Sequence, residues 1–107
     1  MRQMVRATLQ SAGYDVVEAA DGQEALDFAR TKSVDLVISD VNMPRMDGIT
    51  LVQNLRALPT YRLTPLLLLT TESSQEKKME GKKAGATGWI VKPFNPTQLL
   101  ATLTRLL

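Results

Sequence analysis

Polar residues stand after three apolar runs. Asp40 follows VDLVIS (34–39), Thr70 and Thr71 follow LLLL (66–69), and Lys92 follows GWIV (88–91). A carboxylate, a hydroxyl and an ammonium gathered in one place make a small anion or metal site. The carboxylate can attack a phosphoryl group and become an acyl phosphate. The hydroxyl and the ammonium can hold the phosphoryl oxygens by charge-assisted hydrogen bonds. Each residue alone also has an ordinary structural use: an Asp after a strand often turns or caps, and a Thr there often opens the next helix. The chemical reading rests on all three occurring in separate strand-end slots. Other chemistries are closed off, because the chain has no cysteine and no histidine. That removes disulfides, thiolate zinc sites, cysteine nucleophiles, serine–histidine triads and histidine phosphocarriers.

The elements that must position these groups alternate. Residues 1–12 read as a helix with Met1, Met4, Val5, Leu9 and Ala12 near one face, stopped by Gly13. Tyr14–Glu18 reads as a short strand. Asp21 is the expected N-cap of a second helix, with Glu24 three residues on. The nearly all-apolar run 34–39 suits a strand covered on both faces. A turn-rich loop, 40–48, leads to a third helix over 49–58, ended by Pro59. Leu66–Leu69 is a second buried strand. A polar, weak helix follows over 73–84, interrupted by Gly81, and Gly88–Val91 is a further strand. Pro93 and Pro96 frame the start of a last, leucine-rich helix.

This alternation implies an α/β fold with a mostly parallel sheet, in which functional groups collect at the carboxyl ends of the strands. Length and composition agree: 107 residues make one domain (1–107), 44% hydrophobic and 22% charged, with net charge +2. That charge is too small to argue for nucleic acid. No apolar run nears the roughly 18 residues that span a bilayer, so a cytoplasmic protein is expected.

Taken together, LVISDVNMPRMDG (36–48), TTE (70–72), KKAGATGW (82–89) and VKPF (91–94) give a strong resemblance to the receiver domains of bacterial two-component response regulators. The resemblance is to the single-domain, CheY-like chemotaxis type and covers residues 1–107. It implies a flavodoxin-like fold with sheet order 2-1-3-4-5, an order taken from the family. It implies Asp40 as phosphoacceptor, Thr70 as the hydroxyl that contacts the phosphoryl group and helps switch the surface, and Lys92 as the family's lysine, with a cis Lys92–Pro93 peptide. Asn42 matches the position whose backbone carbonyl binds Mg²⁺, with Asp40 as a carboxylate ligand. Trp89 occupies the slot of the switch aromatic, where a half-buried core role serves as well. Asp47-Gly48 is read as structural, and Lys77, Lys78, Lys82 and Lys83 as a solvated face that could tune docking. The implied partners are a sensor histidine kinase or phosphotransfer protein and a downstream protein such as a motor switch, with no nucleic acid and no membrane. The protein is expected to be a phosphorylated switch and not an enzyme.

The element count adds a second expectation. Five helices face only four strands, and the chain begins in a helix, where the family has a first strand ending in two acidic Mg²⁺ ligands. Those two positions match no residue here. Mg²⁺ binding is therefore doubtful and phosphorylation of Asp40 is expected to be poor. The sheet gap should close, either by pairing of 14–18 with 34–39 or by exchange between two chains, so a homodimer is expected. A phosphorylation-independent binding or dimerisation module is the alternative function. A flavin-binding flavodoxin is disfavoured because its phosphate-cradling first loop has no counterpart.

Overall fold

The computed structural model describes residues 2–41, 46–70, 75–91 and 95–107, apart from the side chains of Arg2, Gln75 and Lys77. In chain order these form α1 (Arg2–Ser11), α2 (Gly22–Thr31), β1 (Val37–Asp40), α3 (Gly48–Arg56), a 3₁₀ turn (Pro59–Tyr61), β2 (Leu66–Thr70), α4 (Gln75–Ala84), β3 (Gly88–Val91) and α5 (Pro96–Leu106).

Local chemistry explains the boundaries. The Asp21 side chain accepts from the Glu24 N–H, Asp47 from Thr50 and Asn95 from Gln98, so three helices start on side-chain caps. Pro96 sits in the first turn of α5, where its missing N–H costs nothing. Gly13 and Gly85 adopt positive φ, at 92° and 110°. At each the chain makes the paired bonds of a Schellman stop: Tyr14 N–H to the Leu9 carbonyl and Gly13 N–H to Gln10, then Ala86 to Gly81 and Gly85 to Lys82.

The sheet is parallel, in the order β1-β2-β3. Val37 lies opposite Leu66, and Leu67 opposite Gly88. β2 is buried along its whole length, as a central parallel strand must be. Its side chains alternate between two layers. Leu66 and Leu68 pack with Leu26, Leu51, Val52, Leu55 and Tyr61 beneath α2, α3 and α4. Leu67 and Leu69 pack with Ile90, Leu99 and Leu103, joined by Met4, Val5 and Leu9 of α1. The result is a three-layer α/β/α domain with α1 and α5 on one face.

One expected strand does not form. Tyr14–Glu18 has no ladder among the described residues, so three strands stand where four were expected. Nor does it pair with 34–39. β1 begins only at Val37, whose N–H donates to the Pro65 carbonyl across to β2. A strand exists through its ladder. The 14–18 segment is tied in by side chains instead: Tyr14 packs with the α1/α5 layer, and Glu18 accepts from Arg6 at 2.6 Å.

Candidate functional site

Asp40 is the last residue of β1 and Thr70 the last of β2. Asp40 lies opposite Leu69, and Thr70 lies opposite Val91, the last residue of β3. The carboxylate and the hydroxyl therefore share the carboxyl edge of the sheet, one residue apart in register. Lys92 follows Val91 directly in sequence, but it lies outside the described residues, as do Asn42 and the Lys92–Pro93 peptide. Of the sequence-derived site, the structure brings Asp40 and Thr70 to one edge and puts Trp89 in β3, opposite Leu68.

The surroundings of Asp40 are built by close backbone approach. The Gly48 N–H donates to the Val41 carbonyl at 2.8 Å, drawing the start of α3 back over the end of β1. A Cβ at Gly48 would overlap the Asp40 carbonyl, so no other residue fits there without displacing the strand end. Gly22, at the start of α2, is likewise buried, and a Cβ there would lie 2.5 Å from the Met46 carbonyl. Asp47 holds its turn by accepting from the Thr50 N–H at 2.8 Å and the Thr50 hydroxyl at 3.0 Å. Its structural reading thus stands. The buried Ser39 hydroxyl donates to the Asp40 carbonyl at 3.0 Å. Thr70 is 4% exposed and Asp40 is half-buried, with the Oδ1 oxygen of its carboxylate shielded from solvent.

Trp89 is half-buried. Its six-membered ring lies over Gly81 of α4. Lys82 and Lys83 are exposed and Lys78 half-exposed, in keeping with a solvated face. The side chain of Lys77 lies outside the described set.

A second cluster sits at the opposite edge of the sheet. The Arg56 guanidinium donates to the carbonyls of Gly85 (2.8 Å), Tyr61 (2.6 Å), Arg62 (3.3 Å) and Thr64 (2.7 Å), and to the Thr87 hydroxyl (3.2 Å). Burial lowers its pKa from the usual arginine value. The buried Tyr61 hydroxyl donates to the Lys32 carbonyl at 2.7 Å, and burial raises its pKa. These groups join loops and carry no visible chemistry. Sequence reasoning missed both clusters of close approach. The Asp47-Gly48 pair was a usable signal for the first, and nothing local marks Arg56.

The fit of a metal can be tested on donor sets. Among the described residues no three acidic side chains come together. At the site edge they supply the carboxylate of Asp40. An octahedral Mg²⁺ bound by the protein needs more anionic oxygen than that. The described residues alone do not fit a Mg²⁺ site.

Comparison with known proteins bears on the family and the fold. The model of the response regulator receiver domain matches residues 1–104. The alkaline phosphatase synthesis transcriptional regulatory protein PhoP of Bacillus subtilis is 36% identical over 104 residues, 97% of this chain but 42% of that protein. The chain thus spans less than half of that regulator. The crystal structure of the chemotaxis protein CheY4 of Vibrio cholerae superposes with TM-score 0.94 at 59% identity, covering 99% of this chain and 88% of the other. The receiver domain of the sensor histidine kinase PA1611 of Pseudomonas aeruginosa, solved with magnesium in its active-site cleft, gives TM-score 0.91 at 30% identity, covering 98% and 86%.

Proposed function

The chain belongs to the response regulator receiver domain family, and from that premise we propose that Asp40 is its phosphoacceptor, with Thr70 and Lys92 receiving the phosphoryl oxygens. The observation that carries this reading is the register: a carboxylate ends β1 one residue from a hydroxyl that ends β2, and Lys92 follows β3 in sequence. Attack by a carboxylate oxygen of Asp40 on the phosphorus of a phosphodonor forms a mixed anhydride as the donor's leaving group departs. The Thr70 hydroxyl donates to one phosphoryl oxygen and the Lys92 ammonium neutralises another. The protein acts as acceptor and carrier; it turns over no external substrate.

With Asp40 as the acid that the described residues bring to this edge, the transferring charge lacks a metal to neutralise it. We therefore expect the 107-residue chain to be phosphorylated slowly. In a cell the donor would be a histidine kinase or phosphotransfer protein. The output would be contact with a protein target, for which the motor switch is the choice suggested by likeness to chemotaxis proteins. A cytoplasmic location and a homodimer belong to the same reading.

The test is incubation with acetyl phosphate, with and without Mg²⁺, followed by intact-mass spectrometry. Expected is partial addition of one phosphoryl group, acid-stable and hydroxylamine-labile, absent from Asp40→Asn and little changed by Mg²⁺. Label that persists in Asp40→Asn would reject Asp40 as acceptor. Stoichiometric, Mg²⁺-dependent label would reject the slow transfer. A total lack of label favours the second reading, a phosphorylation-independent binding module, which also suits Asp40 as the one acid that the described residues bring to the site edge.

A further inference from the structure

The attachment of α4 to the sheet is unusual in what it lacks. Its sequence, QEKKMEGKKA, offers one large apolar side chain, Met79, and that residue is 56% exposed. The described α4 residues that are buried are Gly81 and Ala84, which have almost no side chain to bury. An amphipathic helix normally supplies the knobs that enter the sheet layer. Here the direction is reversed. Trp89 rises from β3, and its ring edge occupies the space over the bare Cα of Gly81.

The fit leaves no room for a side chain. A Cβ at Gly81 would overlap Cη2 and Cζ2 of Trp89 and come within 3.1 Å of Leu68 Cδ1. Leu68 is itself fully buried and lies opposite Trp89 in the sheet. Three groups therefore meet at one point: a glycine of the helix, an indole of one strand and a leucine of the next. Gly81 costs helix stability, since glycine is a poor helix former in a helix interior. In a helix that buries so little, that cost has to be offset by what the glycine admits. The C-terminal end of α4 is fixed separately. Gly85 closes the helix at positive φ, and Arg56 Nε donates to its carbonyl at 2.8 Å.

We propose that Gly81 and Trp89 form a latch between α4 and the sheet, in which the helix supplies the hole and the strand the knob, with Gly81 as the positioning residue that keeps the indole inward. The latch is a property of the unphosphorylated chain and does not depend on the role of Asp40. The indole and Leu68 meet the helix at the bare Cα of Gly81, so movement of α4 along the sheet would displace the indole.

The chain has one tryptophan, so its fluorescence reports this contact alone. The experiment combines Gly81→Ala, Trp89→Leu and the double variant of the full chain, read by thermal unfolding, with emission and acrylamide quenching for the two proteins that keep Trp89. With Trp89 present, Gly81→Ala should shift the emission to the red and raise the quenching constant, as the indole is pushed into water. In the Trp89→Leu background the same substitution should raise Tm, because alanine then acts only as the better helix former. The gain should be smaller or reversed with Trp89 present. Gly81→Ala that fails to fold alone but folds with Trp89→Leu also supports the latch. Unchanged emission, an equal Tm change in both backgrounds, or failure to fold in both would overturn it.

Discussion

Tyr61 shows how a single side chain can join distant parts of the chain. It is fully buried, and its hydroxyl donates to the carbonyl of Lys32, just past α2. Tyr61→Phe should cost roughly 0.5–1.5 kcal/mol at neutral pH, the net worth of such a bond. The sign of the pH effect follows from the raised pKa of the phenol. The folded state favours the neutral form, so this stabilisation is complete below the unfolded tyrosine value of about 10 and is lost as pH rises through the folded value. Urea melts of both proteins should therefore show a stability gap that narrows above about pH 10. The lysines titrate in both proteins and cancel in the difference. A gap that widens with pH would contradict this account. Tyr61 was readable in the sequence only as an aromatic after Pro59; its partner lies 29 residues away, beyond any local pattern.

Among the elements, α3 depends on one residue at its end. Arg56 gathers carbonyls from the turn at 61–64 and from Gly85, and so ties α3 to the stop of α4. Replacing it by methionine keeps the aliphatic stem and leaves those carbonyls without their charged donor. A loss of roughly 2–3 kcal/mol is expected, near the upper end for a single substitution. For a domain of this size that is a fall in Tm of about 10 °C or more, measurable by calorimetry. Arg56→Lys should recover only part of it, because an ammonium cannot span several carbonyls in one plane. Elements set by local chemistry were legible in advance: the Asp21 cap, the apolar runs that became β2 and β3, and the stops at Gly13 and Pro59. So was the place of Asp40 and Thr70 at one edge of the sheet, because a polar residue after an apolar run marks a strand end. Those that depend on partners distant in sequence were not. Gly81 reads as a weakness in α4 until Trp89 is placed over it. Tyr14–Glu18 has the composition of a strand, yet composition cannot supply a neighbour.

At the scale of the whole molecule the sheet poses the remaining question. Val37 and Val41 donate toward β2. By the alternation of a strand, the N–H of Ile38 is directed to the opposite edge of β1, where no strand lies among the described residues. An open ladder edge beside half-buried apolar side chains such as Leu36 and Ile38 is a template for pairing with another chain. A second copy is the occupant the homodimer reading requires. Light scattering over a concentration series should then show mass rising from one chain toward two. Amide exchange at Ile38 should slow in step with that rise, since a new ladder protects its N–H. The two measurements separate edge pairing from other contacts. Dimerisation with no protection at Ile38 would move the interface elsewhere. A monomer at every concentration would leave the sheet stable with three strands, held by the two helical layers and not by a partner.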